Sequence, residues 1–123
     1  MAFSPEERQR YARHLDLPGF GSRAQERLRA GRVMVVGCGG LGSPALYYLA
    51  AAGVGLLGLV DSDQVDVSNL QRQILHATPD IGRPKVDSAV GRLRALNPHV
   101  RLAPHAEHLT ADNARDLFAP YDV

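Results

Sequence analysis

Apolar residues in this chain follow two rhythms, short unbroken runs and stripes at helical spacing, and the two alternate along the sequence. Val33 to Val36 and Leu56 to Val60 are continuous apolar runs, the pattern of strands buried on both faces. Between them, Pro44 to Ala52 is apolar nearly all round and stops at Gly53, which predicts a short helix of core. Val86, Ala89, Val90, Leu93 and Leu96 then recur at helical spacing until Asn97-Pro98, with Pro84 as the expected first helical residue and Arg92 and Arg94 on a solvated outer face. Val100 to His105 predicts a third strand. Strands separated by helices require crossover connections, so the expected class is α/β with a mostly parallel sheet.

The ends of the chain extend this pattern. Ser4-Pro5-Glu6-Glu7 offers an N-cap, a helix-starting proline and a capping-box glutamate, and Ser22-Arg23-Ala24-Gln25 repeats the device. Two helices are thus expected ahead of the first strand, with Tyr11 and Leu15 on one packing or dimer-forming face. Thr110 is the expected cap of a last helix carrying Ala114, Leu117 and Phe118. In a doubly wound sheet of order 3-2-1-4, Pro104 falls on an edge strand, where proline is tolerated. Tyr121-Asp122-Val123 then reads as the opening of a fourth strand beside the first. The chain is accordingly expected to be a fragment, truncated before the sheet is complete, with an inner strand edge left uncovered. Residues 1-31 form an N-terminal helical segment for packing or dimer contacts, and residues 32-123 the N-terminal half of an incomplete nucleotide-binding domain.

Composition narrows the setting. The chain is 45% hydrophobic and 22% charged, with a net charge of +1 and one cysteine in 123 residues. No apolar run approaches the length of a membrane span, and Met1 to Arg10 is too polar for a signal sequence, so a soluble cytoplasmic protein is expected. A single cysteine excludes an intramolecular disulfide framework. The near-neutral balance gives no electrostatic case for nucleic acid.

The candidate chemistry lies between Arg32 and Lys85. Gly37-Cys38-Gly39-Gly40-Leu41-Gly42 joins the first strand to a helix, and the second strand ends on Asp61. Such glycines let backbone approach phosphate at a helix N-terminus, and a carboxylate roughly 20 residues on can bind ribose hydroxyls. Those features alone also suit an NAD- or FAD-dependent oxidoreductase of Rossmann-like fold. Asp63, Asn69, Arg72, Gln73 and Lys85 have no obvious use in hydride transfer, however. A triphosphate needs neutralising, aligning and bridging by magnesium, which is work for Arg, Lys and a metal-holding carboxylate. Lys85 is the only lysine against thirteen arginines. It sits near the positive end of a helix dipole, where a cation gains only if an anion is bound.

From Arg10 to about Asp122, the segments RYARHLDLPGFG, VVGCGGLGSPALYYLAAAGVG, LVDSDQVDVSNLQRQILH, GRPKVDSAV and LNPHV resemble the MoeB/ThiF adenylyltransferases, relatives of the ubiquitin-activating enzymes. The resemblance implies that ATP and the C-terminal Gly-Gly carboxylate of a small ubiquitin-fold sulfur-carrier protein give an acyl-adenylate and pyrophosphate, in molybdenum cofactor, thiamine or related biosynthesis. It implies that Gly37, Gly39, Gly40 and Gly42 meet the nucleotide, and that Asp61 binds ribose, with Asp63 nearby. Ser68, Asn69, Leu70, Gln71, Arg72 and Gln73 would line the ATP pocket, with Arg72 and Lys85 at the phosphates. Arg13 would reach into the partner subunit's site in a homodimer. The family's magnesium-binding aspartate falls after the next strand, so no metal ligand is expected within the chain. Paired CxxC motifs for Zn2+ are likewise expected only in a missing C-terminal part, and the fragment is expected to be inactive alone.

Two other features are expected to carry no chemistry. Cys38 suits a packing role at a buried strand end, and His105 with His108 lacks a firm third ligand. Rival functions are the oxidoreductase, an adenylating enzyme acting on a tRNA base or a peptide, and a non-enzymatic dimerisation or partner-binding piece.

Overall fold

The computed structural model describes residues 2–123, leaving Met1, the first residue of the predicted N-terminal segment, outside the described residues. Helices α1 (Pro5–Arg10), α2 (Ala12–Leu15) and α3 (Gly21–Ala30) precede β1 (Arg32–Val36), α4 (Gly42–Ala52), β2 (Leu56–Val60), α5 (Lys85–Leu96), β3 (Arg101–His105) and α6 (Ala114–Phe118). Short 3-10 turns at Val67–Asn69 and Thr78–Asp80 sit in the long β2 to α5 connection.

The three strands form one parallel sheet in the order β1-β2-β3. Arg32 pairs with Leu56 and Val36 with Val60, while Leu56 pairs with Arg101 and Val60 with His105. β3 is an edge, as Pro104 requires. β2, flanked on both sides, is almost wholly buried. Its Leu57 and Leu59 face Leu46 and Ala50 of α4 and Ala89 and Leu93 of α5 in a single core, each fully buried leucine contributing roughly 1.5–3 kcal/mol. On the opposite face Gly58 leaves room for Tyr121, whose ring would lie 2.4 Å from an added Cβ.

The free side of β1 is partly covered. Met34 N donates to Val123 O at 2.8 Å and Asp122 N to Arg32 O at 2.7 Å, so the last residues run beside β1 as the sequence predicts for a fourth strand. The predicted open edge therefore begins beyond Met34, where Val36 is exposed.

Several local expectations are corrected. Three helical segments, rather than two, precede β1. Ser4 and Glu7 form the expected capping box, but Tyr11 breaks the helix at φ −98°, ψ 14° as its ring turns into the core. Ser22 does not cap α3, which begins at Gly21. Gln25 is fully buried, its amide spent on His14 Nδ1 and Ala52 O at 2.8 and 2.7 Å. Pro84 is the N-cap of α5 rather than its first residue. α4 is not buried all round, because Tyr48 is exposed. Thr110 lies further from its helix than expected, bonding Asn113, the residue that precedes α6.

Asn97, expected only as a helix stop, is fully buried. Its Nδ2 donates to Tyr11 Oη and Ala50 O, both at 2.8 Å, joining the N-terminal helices to α4 and α5. Asn97→Ala is expected to cost about 2 kcal/mol by stranding the buried tyrosine hydroxyl, read as a lower urea midpoint at unchanged m-value. An unshifted midpoint would show the joint to be dispensable.

Among the described residues, no helix is long and apolar enough to cross a membrane.

Candidate functional site

The site is built where β1 and β2 end. Gly37 takes φ 93°, a turn a side chain resists, and its N–H donates to Val60 O at 2.7 Å. The chain then doubles back so tightly that a Cβ on Gly42 would lie 1.9 Å from Gly37 O. Ser43 N donates to Gly39 O and starts α4 at the loop, whose first amides lack intrahelical acceptors.

Asp61 fastens this loop from β2. Its Oδ2 accepts from Cys38 N and its Oδ1 from Asp63 N, each at 2.8 Å. On the other side of Asp61, a crevice of about 270 Å³ opens past the strand ends, lined by Gly37, Val60, Asp61, Asp63, Glu107 and His108. That is where open α/β sheets take ligands. A second cleft, beside Met34 and Tyr121, lies along the β1 edge and away from these groups.

The β2 to α5 connection folds over the glycine loop. Asp66 caps the Val67–Asn69 turn by accepting from the Ser68 amide at 2.9 Å and from the Ser68 hydroxyl, contacts that hold its carboxyl below the usual range. Asn69 O then accepts from both Arg72 N and Gln73 N, and Arg72 Nη1 donates to Ser68 O at 3.1 Å. The turn aims both side chains at the loop. Arg72 Cδ lies 3.9 Å from where a Gly40 Cβ would be, and Gln73 Nε2 3.6 Å from that of Gly39. Gln73 is buried and its Oε1 has no partner.

Lys85 arrives by backbone pairing. Its N–H donates to Asp63 O at 2.9 Å, next to a bridge between Gln64 and Pro84. The side chain is 8% exposed and its Nζ lies 3.8 Å from Asp63 Oδ2, a carboxylate that is 72% exposed. An ammonium has three donors, and this contact is too long for a good hydrogen bond. Lys85 is thus a cation on a largely buried stem with one distant counterion, and its ammonium has donors free for further acceptors.

The structure brings Gly39, Gly40, Arg72 and Gln73 together, with Asp61 beneath the loop and Lys85 beside Asp63. Leu70 is half-buried and Gln71 exposed. Arg13 is exposed on α2, which packs on α1 and α3, and is not among the residues around the loop. Cys38 is fully buried; burial, with the Asp61 charge, pushes its thiol up to about 12, so it stays protonated and inert near neutrality. His105 O accepts from Asp61 N, and His108 O from Asn113 Nδ2. Among the described residues no group of three or more His, Cys, Asp or Glu could hold a metal.

Sequence reasoning missed His76, buried with Nε2 2.8 Å from Cys38 O and Nδ1 2.8 Å from Ser88 Oγ. Nothing in its spacing distinguishes it from a surface histidine. Asp80, near Ser88, is raised by burial but more strongly lowered by the Ala77 amide, the Ser88 hydroxyl and the Arg83 guanidinium.

Residues 11–123 match the ThiF family. The chain is 54% identical over 118 residues to the adenylyltransferase and sulfurtransferase uba4 of Aspergillus terreus, covering 96% of this chain and 24% of that protein. It is 52% identical over 122 residues to the probable adenylyltransferase/sulfurtransferase MoeZ of Mycobacterium tuberculosis, covering 99% of this chain and 31% of that one. The chain therefore spans about a quarter to a third of the curated relatives it matches. Among solved structures, the E. coli tRNA N6-threonylcarbamoyladenosine dehydratase TcdA in complex with ATP superposes with a TM-score of 0.90 at 32% identity, covering 97% of this chain and 48% of that one.

Proposed function

The chain belongs to the ThiF family, and from that premise we propose that it supplies the phosphate-binding part of a site that adenylates the C-terminal Gly-Gly carboxylate of a small ubiquitin-fold sulfur-carrier protein. The observation that carries this reading is Lys85, whose side chain is 8% exposed and whose ammonium has its counterion at 3.8 Å, held on the same side of the sheet ends as Arg72 and the glycine loop. A polyanion would complete its solvation. The 52% and 54% identities to MoeZ and uba4 favour a carrier protein over the tRNA base named for a neighbour at 32%.

A carboxylate is a poor acyl donor because oxide leaves badly. In the proposed step a carboxylate oxygen bonds to the α-phosphorus, and the bond from that phosphorus to the oxygen bridging toward the β-phosphorus breaks. The products are a mixed anhydride, whose later leaving group is AMP, and pyrophosphate. No proton moves and no protein nucleophile is needed, consistent with an inert Cys38. Charge spreads over the phosphoryl oxygens, where Arg72 and Lys85 would meet it, while Gly39 and Gly40 leave the backbone open to the phosphates. Asp61, which already holds Cys38 N and Asp63 N, has acceptor capacity left for ribose hydroxyls.

The chemistry a bound magnesium would supply is to offset the phosphate charge. Asp63 alone, 72% exposed and turned to Lys85, is a weak site for it. Arg13 would act across a homodimer on the partner's nucleotide.

ATP with magnesium is expected to raise the thermal midpoint of the intact protein, by the equivalent of about 2.7 kcal/mol at a hundredfold excess over Kd, and NAD is not. Equal or greater stabilisation by NAD would favour the oxidoreductase.

A further inference from the structure

We propose that His76 is a positioning residue that fixes the glycine loop relative to the helix carrying Lys85, an inference that rests on the nucleotide reading above. The residue meets three pieces of the site. Its backbone N–H donates to Gln73 O at 3.2 Å, tying it to the Arg72-Gln73 turn. Nε2 lies 2.8 Å from Cys38 O, in the loop, and Nδ1 lies 2.8 Å from Ser88 Oγ, in the first turn of α5 three residues after Lys85.

A carbonyl only accepts, so Nε2 carries the hydrogen. Nδ1 and the Ser88 hydroxyl share the second hydrogen bond, the ring nitrogen and the hydroxyl each being able to donate or accept. His76 is 5% exposed and Ser88 3% exposed, so water cannot replace either bond at low cost. Cys38 is consequently held at both of its backbone polar groups, its N–H by Asp61 and its carbonyl by His76. The loop that would face the phosphates and the lysine that would neutralise them keep one separation because a rigid imidazole spans the gap. Displacements of about 1 Å in such a site can cost 100-fold in rate.

The inference separates from simple core packing in a double-mutant cycle on the intact protein. His76→Leu fills the space without either bond, and Ser88→Ala cuts the helix end of the bridge together with the Ser88 contact to Asp80. Three quantities are read: amide hydrogen exchange of the Gly37–Ser43 segment without nucleotide, the thermal midpoint, and kcat and KM for carrier-dependent ATP-pyrophosphate exchange. The bridge requires Ser88→Ala to speed exchange in the loop, although Ser88 is on a different element. It also requires each single variant to lower kcat at least about tenfold, and the double variant to be no worse than the poorer single one. Loop exchange and kcat within twofold of wild type in folded Ser88→Ala would overturn it, even if His76→Leu fails to fold. A wild-type protein that neither binds ATP nor exchanges pyrophosphate would remove the nucleotide reading itself, and the bridge with it.

Discussion

Lys85→Ala in the intact protein is expected to lower adenylate formation at least about 100-fold, the scale of losing one preorganised charge stabiliser, while leaving the fold nearly as stable. The two effects part because of where the partners sit. The Lys85 side chain is 8% exposed, but its counterion Asp63 is 72% exposed, so removing the ammonium returns the carboxylate to water instead of burying an unpaired charge. Arg72→Ala is expected to show the same split. Its guanidinium makes one recorded hydrogen bond, to Ser68 O at 3.1 Å, and surface losses of this kind are usually within about 0.5 kcal/mol. ATP-pyrophosphate exchange and a thermal melt on the same samples check both halves. A folded variant of either residue that exchanges pyrophosphate at the wild-type rate would sink the phosphate assignment.

What the sequence made legible is what local pattern encodes. β1, β2 and α5 were readable because each apolar run or stripe ends on a residue with its own reason to stop: Gly37 at φ 93°, Asp61 at the crevice, and Asn97-Pro98. The meeting of Arg72 with the glycine loop was legible only through the family resemblance, since its geometry depends on a 3-10 turn capped by Asp66. Long-range polar contacts were not legible. Gln25 resembles a capping-box residue until Ala52 O and His14 claim its amide. The first of the two expected N-terminal helices reads as unbroken until Tyr11 bends it to reach Asn97. His76 makes the same point within the site: its partners are 38 and 12 residues away, and no periodicity records such separations.

Gly42→Ala should be nearly as damaging as losing Lys85, for a reason confined to the backbone. An alanine Cβ there would sit 1.9 Å from Gly37 O and 2.9 Å from Gly37 C. Neither atom belongs to a flexible side chain, so the loop itself must open. Opening it pulls on Gly37 N, bonded to Val60 O, and on Cys38, held by Asp61 and His76. The expected result is a stability loss of about 1–3 kcal/mol, the range for overpacking a tight site, with ATP-dependent thermal stabilisation abolished. Gly40→Ala is the matched control. Its added Cβ would meet nothing closer than Arg72 Cδ at 3.9 Å, so the fold should keep its melting temperature. The methyl would instead narrow the gap between loop and arginine that the phosphates need, raising the KM for ATP by about tenfold, or about 1.4 kcal/mol of binding. Two glycines two residues apart should therefore fail differently, Gly42 through folding and Gly40 through nucleotide affinity. Equal melting temperatures and equal ATP responses in the two variants would mean that the loop is not held as tightly as its contacts indicate.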